Sequence, residues 1–345
     1  MSHISLILMS FSQPLITRRQ ARMNPPDQIV VQSLPWEVHP DSYQTNINLK
    51  YSLRSNFMIC SLCFNNDGSN IIFSSQQNVY VISTQNGSII RKFDIPNMQE
   101  SKENSRSIVV SPDSRYLALG SPNNQIIIYS MQDGQIICIF EGHSDCITSL
   151  LFSNDSNNLY SGSFDRTVCI WDLQTLKLIK QIQFGGNNMI TSLNKDKFEN
   201  SFFVSFLNGH IEIFNQFFTN KISEFKSHDK CIFEISTSNF DESIATSSFD
   251  NTIKIWNLNE AFELKQTLIG HNNFVLSTCF SPIESICFSA SKDNTIKAWN
   301  YIRGDCYFTL NVHNNTLCKI VHHPTDKIFA SCSIDGVINL WSYNF

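Results

Sequence analysis

The side chains most suited to chemistry are a histidine, a serine and an aspartate that lie close together in the chain. His143, Ser161 and Asp165 are the residue types of a hydrolytic triad, in which histidine takes the proton of a serine nucleophile and aspartate orients the histidine. A histidine, a serine or threonine and an aspartate, followed by a tryptophan, recur three more times with the same spacing inside each set. Because catalysis needs only one such set, the repetition favours a structural role and predicts that the chain is not an enzyme.

We interpret each set as a buried hydrogen-bond network that holds the turns of a sheet. The aspartate would accept from the histidine, and the tryptophan would donate its indole N–H inward. Each bond should contribute on the order of 1 kcal/mol, and removing one member would leave the others unpaired at a cost of about 1 to 3 kcal/mol. The predicted members are His143, Ser161, Asp165 and Trp171; His228, Thr246, Asp250 and Trp256; His271, Ser289, Asp293 and Trp299; and His313, Ser331, Asp335 and Trp341.

Other motifs that could carry chemistry are weak. The chain has no phosphate-binding Gly-rich loop, no His-Glu-x-x-His and no nucleophile elbow. Cys60 and Cys63 have the spacing of half a zinc site, but no second pair follows at a suitable distance, and 59–64 resembles a buried strand. The pair His322-His323 stands where another repeat has Phe280-Ser281, which favours a role in a turn. We therefore expect no cofactor and no metal ion.

Composition excludes several classes of protein. Of the 345 residues 42% are hydrophobic, and 25 Lys+Arg against 30 Asp+Glu give a formal charge of -5. This balance argues against disorder and against direct nucleic-acid binding. No apolar run approaches the roughly 18 residues of a membrane span. The 11 cysteines are odd in number and mostly lie in apolar runs, which indicates reduced core thiols rather than disulfides.

The elements that position the four sets appear as an internal repeat. Apolar β-type runs end in an aromatic or aliphatic residue at steps of about 42 to 47 residues. The histidine precedes its tryptophan by 28 residues and the aspartate by 6. Three further copies lack the histidine but keep the register, which makes seven repeats. Their ends are Ile82, Tyr129, Trp171, Phe214, Trp256, Trp299 and Trp341.

These residues make the chain resemble the WD-repeat family, whose unit has a Gly-His start, a turn Asp and a Trp-Asp end. The resemblance implies an all-β fold, a seven-bladed β-propeller with one four-stranded antiparallel sheet per blade. We divide the chain into a largely irregular N-terminal extension, residues 1–46, and the propeller, residues 47–345. The chain stops four residues after Trp341, so Asn48 to Leu53 is predicted to pair with the last blade and close the ring.

In this family the surface that commonly binds partners surrounds the mouth of the central channel. Two positions per repeat should point there: the residue before the turn aspartate or asparagine, and the fifth residue after the histidine position. Large apolar groups at such loop positions are suited to anchoring a peptide; the alternative is that some of them pack between blades. The candidates are Phe164, Leu207, Phe249, Lys292 and Ile334 at the first position, and Thr148, Thr191, Phe233, Leu276 and Cys318 at the second.

The subfamily is less clear. A first repeat without His or Trp, a long connection at 97–104 and the run 107–113 follow in an order similar to Tup/Groucho-type transcriptional corepressors, which implies repression through bridging of DNA-bound factors to chromatin machinery. Such corepressors have an N-terminal oligomerisation helix, whereas residues 1–46 contain five prolines and no heptads. The alternative is an adaptor subunit of a ubiquitin-ligase, chromatin-modifying or RNA-processing assembly. We expect an intracellular protein, nuclear or cytoplasmic with the nucleus favoured, that is a monomer within its complex and binds peptide or helical segments of other proteins.

Overall fold

The computed structural model describes residues 30–32, 37–39, 46–75, 78–96, 107–258 and 262–344. These residues form seven antiparallel sheets arranged as a ring, which confirms the predicted seven-bladed β-propeller. Strands from the middle of the blades are largely buried because neighbouring blades stack on both of their faces, and Ile126–Ser130 and Thr167–Asp172 are examples. Outer strands alternate between exposed and half-buried positions.

Three strands come from the start of the chain: β1 (Val30–Gln32), β2 (Glu37–His39) and β3 (Asn46–Arg54). Blade 1 has β4 (Leu62–Phe64), β5 (Asn70–Ser74), β6 (Asn78–Ser83) and β7 (Ile89–Asp94). Blade 2 has β8 (Ser107–Val110), β9 (Tyr116–Gly120), β10 (Ile126–Ser130) and β11 (Ile136–Phe140). Blade 3 has β12 (Ile147–Phe152), β13 (Asn158–Ser163), β14 (Thr167–Asp172) and β15 (Lys177–Gln183).

The remaining blades continue in chain order. Blade 4 has β16 (Ile190–Lys195), β17 (Phe202–Phe206), β18 (His210–Phe214), a 3-10 turn (Gln216–Phe218) and β19 (Lys221–Lys226). Blade 5 has β20 (Ile232–Thr237), β21 (Ser243–Ser248), β22 (Thr252–Asn257) and β23 (Leu264–Ile269). Blade 6 has β24 (Val275–Phe280), β25 (Ile286–Ser291), β26 (Thr295–Asn300) and β27 (Asp305–Asn311). Blade 7 has β28 (Leu317–His322), β29 (Ile328–Ser333) and β30 (Val337–Asn344), and takes β3 as its outer strand.

The ring is closed by the two ends of the chain. Strand β3 pairs antiparallel with β30, with Leu49 opposite Trp341 and Leu53 opposite Ile338. This confirms the predicted closure. On the inner side, β28 of blade 7 lies next to β4 of blade 1. Seven apolar clusters, one between each pair of neighbouring blades, form the core of the described ring.

Part of the predicted extension adds strands to this ring. β1 pairs with β3 at the outer edge of blade 7, and β2 pairs with β27 at the outer edge of blade 6, so both sheets have five strands. The boundary after residue 46 stays a prediction, and residues 1–29, 33–36 and 40–45 lie outside the described part of the chain. All eleven cysteines are free thiols, and each of them is buried or half-buried.

Candidate functional site

Three of the four repeated sets form the same network. In blade 3 the ring of His143 contacts Asp165 through Nδ1 at 2.9 Å and Ser161 Oγ through Nε2 at 2.7 Å, while Trp171 Nε1 donates to the same hydroxyl at 2.9 Å. The imidazole therefore donates to the carboxylate and accepts from the serine. Blades 5 and 6 repeat this pattern at 2.7 to 3.2 Å, with a threonine in place of the serine in blade 5.

The network keeps its aspartates charged. Burial alone would raise the pKa of Asp165 and Asp250, but hydrogen bonds from the histidine and from a threonine two residues later lower it to about 2 in each case. The same donors depress the pKa of Asp293. Ser161 is fully buried, accepts from the Trp171 N–H and donates to His143. Its hydroxyl is therefore not accessible to a substrate. The geometry is that of a structural network repeated around the ring.

Blade 7 differs from the prediction at one bond. His313 Nε2 contacts Ser331 Oγ at 2.9 Å and Trp341 donates to that hydroxyl at 3.3 Å, but the carboxylate of Asp335 accepts from Ser333 instead of from the histidine. His313 Nδ1 is buried without a hydrogen-bond partner. Burial lowers the pKa of His313 to about 4, although the charge of Asp335 acts in the opposite direction.

The cause lies four residues before the tryptophan. In blades 3, 5 and 6 a threonine at this position donates to the aspartate at 2.6 to 2.7 Å and holds the carboxylate against the histidine. Blade 7 has Val337 there, which has no hydroxyl. The carboxylate of Asp335 therefore turns to Ser333. In blades 3 and 6 the equivalent hydroxyls, Ser163 and Ser291, donate to backbone carbonyls.

The five candidates after the histidine position share a backbone irregularity. Each lies in a β-bulge, where the pairing of the inner strand with the next strand skips one residue. A bulge re-aims the extra side chain away from the sheet, and here all five line one cavity of about 160 Å³ at the channel. The bulged residues are Thr148, Thr191, Phe233, Leu276 and Cys318. Cys60 of blade 1 lines the same cavity.

The residues that directly follow the bulged positions also line the channel, and most of them are serines. Ser61, Ser107, Ser149 and Ser192 line the cavity at the next position of their strands, and Ser277 occupies the matching position in blade 6. Blades 5 and 7 have Glu234 and Lys319 instead, and the two form an ion pair across the channel. Burial would lower the pKa of Lys319, but the Glu234 carboxylate raises it above its usual value, so the lysine is charged.

The five candidates before the turn aspartate or asparagine are held differently. Their backbone N–H groups donate to carbonyls of the preceding loop at 2.9 to 3.0 Å, which fixes each turn against the blade. All five side chains are half-buried, and none of them lines the channel cavity. They are Phe164, Leu207, Phe249, Lys292 and Ile334. The ring of Phe249 stacks on that of Phe233, which lines the cavity.

Three phenylalanines of blades 5 and 6 form a continuous aromatic cluster at the mouth. The rings of Phe233 and Phe249 stack at 5.2 Å between centroids, and Phe249 contacts Phe274 at 3.5 Å. The ammonium group of Lys292 lies 5.3 Å from the centroid of Phe274. All four side chains are half-buried rather than sealed. We call Phe233, Phe249 and Phe274 the mouth cluster.

Sequence reasoning missed part of this site. Phe274 precedes its strand and occupies neither of the two positions used. Cys60 would have been found by aligning Leu62-Cys63-Phe64 with Leu150-Leu151-Phe152, because that alignment places Cys60 opposite Thr148. Glu234 and Lys319 could have been found in the sequence, because they are charged residues at a position where the other five blades have serine.

The two candidate metal motifs have other contacts in the structure. Burial raises the pKa of Cys63 to about 12, so its thiol is protonated. His322 bonds to Tyr343 Oη at 2.8 Å, whereas His323 bonds to the Gly68 carbonyl of blade 1 at 3.1 Å, so the two rings point to different partners. Within the described ranges, no group of three His, Cys, Asp or Glu residues is placed to hold a metal ion. The described residues also include no helix long and apolar enough to cross a membrane.

Comparison with known proteins finds relatives for parts of the chain. It is 28% identical over 181 residues to periodic tryptophan protein 2 of Arabidopsis thaliana, 51% of this chain and 19% of that protein. It is 23% identical over 150 residues to protein groucho of Drosophila melanogaster, 44% of this chain and 20% of that protein. It is 30% identical over 90 residues to the U3 snoRNP-associated protein-like EMB2271 of Arabidopsis thaliana, 26% of this chain and 19% of that protein. The chain thus spans about a fifth of the length of these relatives.

The family comparison identifies the repeats directly. Four segments match the WD40 family, described as WD domain, G-beta repeat: residues 134–172, 219–257, 262–300 and 304–342. They contain the four complete sets of His, Ser or Thr, Asp and Trp. The fold of this family is generally a non-catalytic scaffold for protein interaction. With four matched repeats and seven blades in one ring, the chain belongs to the WD-repeat β-propeller family.

Proposed function

We propose that this protein is a non-catalytic scaffold that binds peptide or helical segments of other proteins on the face around its channel mouth. The observation that carries the proposal is the mouth cluster, Phe233, Phe249 and Phe274, next to the channel cavity. Half-buried aromatic rings beside a pocket are typical of the anchors that dominate interface energies. No direct contact with nucleic acid is part of the proposal, because the chain has a net charge of -5.

The ten predicted positions divide into two roles on this face. The bulged residues Phe233 and Leu276, with Thr148, Thr191 and Cys318, would receive a side chain of the partner in the cavity. Phe249 and Lys292 would contact the partner beside it, the lysine adding a positive charge at the rim. Phe164, Leu207 and Ile334 do not line the cavity and would be outer contacts of a longer segment.

The cellular role that we propose is that of a Tup/Groucho-like nuclear corepressor. It is supported by the similarity to protein groucho and by the order of the first repeats in the sequence. The alternative is an adaptor subunit of another assembly, such as a ubiquitin-ligase, chromatin-modifying or RNA-processing complex. The similarity to a U3 snoRNP-associated protein-like sequence favours the RNA-processing form of that alternative.

Affinity purification from native cells tests both levels of the proposal. Wild type is compared with the Phe233→Asp, Phe249→Asp double variant, and partners are identified by mass spectrometry. A carboxylate at each ring position should remove the partners that dock on the mouth cluster, at least ten-fold by abundance. Deacetylases, histones or DNA-bound repressors among the lost proteins would support the corepressor role, and ribonucleoprotein or ubiquitin-ligase subunits would support the alternative.

The matched control is Ile269→Asp, an exposed residue on the outer strand of blade 5 that introduces the same charge and does not line the channel cavity. Circular dichroism and thermal unfolding of all variants show whether the propeller is intact. A partner list that the double variant leaves unchanged while it remains folded would refute docking on this face. If the double variant unfolds, Phe249→Ser alone repeats the test with a smaller disturbance of the packing.

A further inference from the structure

The face opposite the channel mouth is built by seven equivalent turns, each joining the inner strand of a blade to the next strand. The first residue of the turn is a capping residue in every blade. In blade 2, for example, Ser111 Oγ accepts from the backbone of Tyr116 at 2.9 Å, and in blade 4 Asp196 accepts from Ser201 at 3.0 Å. The third residue of the turn differs between the two halves of the ring.

In blades 1 to 3 the third residue is an aspartate that stabilises the turn. Asp67 accepts from the backbone N–H of Ser69 at 2.8 Å, Asp113 from that of Arg115 at 3.0 Å and Asp155 from that of Asn157 at 3.0 Å. The donors from Ser69 lower the pKa of Asp67, so this side chain is an anion in the turn. In these blades the third residue is explained by local structure.

In blades 4 to 6 the third residue is large and apolar and faces water. Phe198 is 73% exposed, Phe240 is 49% exposed and Ile283 is 42% exposed. Their backbone N–H groups are satisfied by the first turn residue, from 2.9 Å at Asp196 to 3.4 Å at Ser281. The turns therefore do not need a large apolar side chain at this position. These three residues stand at the same position of three consecutive blades, and we call them the opposite-face patch.

The surroundings of the opposite-face patch carry excess negative charge. The turns of blades 4 to 7 and the lysines that contact them hold six carboxylates against four ammonium groups. Three of the lysines are in ion pairs, Lys195 with Glu199, Lys265 with Asp241 and Lys327 with Glu284. Among the described residues, no lysine or arginine nitrogen lies within 4.0 Å of the exposed Glu242. Lys197, beside the ring of Phe198, is the one cation of these four outside an ion pair.

We propose that Phe198, Phe240 and Ile283 form a second docking surface for a segment of another protein that carries large apolar side chains next to lysine or arginine. The apolar residues would cover the opposite-face patch. The basic residues would lie against Glu242 and the exposed Asp326, where charge complementarity sets the orientation. The surface is separate from the mouth cluster, so one propeller could hold two partners on opposite faces.

Selection from a random peptide library displayed on phage, with the full chain as bait, tests this proposal. We expect a class of peptides with two or more large apolar residues and a net positive charge. Their affinity should fall at least ten-fold in the Phe198→Asp, Phe240→Asp variant and should weaken with added salt. It should change less than two-fold in Phe233→Asp, Phe249→Asp and in Ile269→Asp, which separates this surface from the channel mouth.

Peptides that bind wild type and the Phe198→Asp, Phe240→Asp variant equally, or an enriched class that is acidic, would overturn the proposal. So would concentration-dependent dimers of wild type, measured by light scattering, that the variant abolishes, because the patch would then join two copies of this chain. The exposure of both rings predicts that the variant melts within a few degrees of wild type. If it does not fold, Phe198→Ser with Phe240→Ser replaces it.

Discussion

Blades 6 and 7 have the same four residues in the same register, yet only one of them completes the network. In blade 6 the carboxylate of Asp293 contacts His271 at 2.9 Å. In blade 7 the carboxylate of Asp335 accepts from Ser333, and the Nδ1 atom of His313 has no partner. The tetrad of His, Ser, Asp and Trp is therefore not sufficient by itself.

The difference shows that a fifth residue completes the network. Thr295 donates to Asp293 at 2.6 Å in blade 6, and Val337 occupies that position in blade 7. A carboxylate has several acceptor sites and turns to the nearest donors. The threonine therefore determines which way the aspartate points, and through the aspartate whether the histidine is satisfied.

The largest expected effect comes from removing the aspartate in each blade. Asp293→Ala leaves His271 Nδ1, the Thr295 hydroxyl and two backbone N–H groups without their acceptor. We expect a loss of about 3 kcal/mol in the free energy of unfolding. Asp335→Ala removes one contact with Ser333 and should cost less than about 1 kcal/mol. Urea unfolding followed by tryptophan fluorescence measures both. Equal losses in the two variants would contradict the comparison.

A smaller effect is expected from pH. Because the pKa of His313 is about 4 in the folded protein and about 6.5 in an unfolded chain, the unfolded state binds more protons between these values. Stability should therefore fall as pH drops from 6.5 towards 4, by about 2 kcal/mol between pH 6.5 and 4.5 from this residue. His322, whose pKa is also about 4, adds in the same direction.

Two variants assign that pH dependence. His313→Gln should reduce the slope of unfolding free energy against pH by about 1 kcal/mol per unit. His271→Gln should reduce it less, because Asp293 opposes the burial that lowers the pKa of His271. The measurement is urea unfolding at half-unit steps of pH. If the two variants flatten the curve equally, the missing contact in blade 7 has no effect on protonation.

The smallest effect is a gain. Val337→Thr supplies the hydroxyl that blades 3, 5 and 6 have, and should turn Asp335 towards His313. We expect the free energy of unfolding to rise by about 1 kcal/mol and the pKa of His313, followed by NMR, to rise with it. The control is Val337→Ala, which has no hydroxyl and should not stabilise. A loss of stability in Val337→Thr would mean that the new hydroxyl is buried without a partner.

The repeat register predicted the fold almost completely. Seven aromatic or aliphatic strand ends at steps of about 42 to 47 residues determined the number of blades, and the missing outer strand after Trp341 predicted the pairing of β3. The strands β1 and β2 were not predicted, because three residues each are too few to show a pattern. Val337 was visible in the sequence, but its effect depends on where Asp335 finds a donor.

The site was only partly predictable for a different reason. Counting five residues from the histidine located Phe233 and Leu276, because the bulge recurs at the same place in five blades. It could not show that Phe249 and Phe274 meet across neighbouring blades, since that contact depends on loop conformations. The exposure of Phe198 likewise depends on the conformation of its turn, in which Asp196 accepts from the Phe198 backbone N–H. The sequence alone does not reveal that conformation.

The strand β3 also has a consequence for how the protein is made. It leaves the ribosome before any blade, yet its partner β30 follows about 290 residues later. At about 5 to 20 residues per second, translation leaves β3 without its partner for roughly 15 to 60 s. During that interval Leu49, Tyr51 and Leu53 lack the strand that they cover in the finished ring. We expect newly made chains to depend on chaperones until the last blade emerges. A change that weakens β30 should lower the yield of folded protein by more than its effect on the free energy of unfolding would predict.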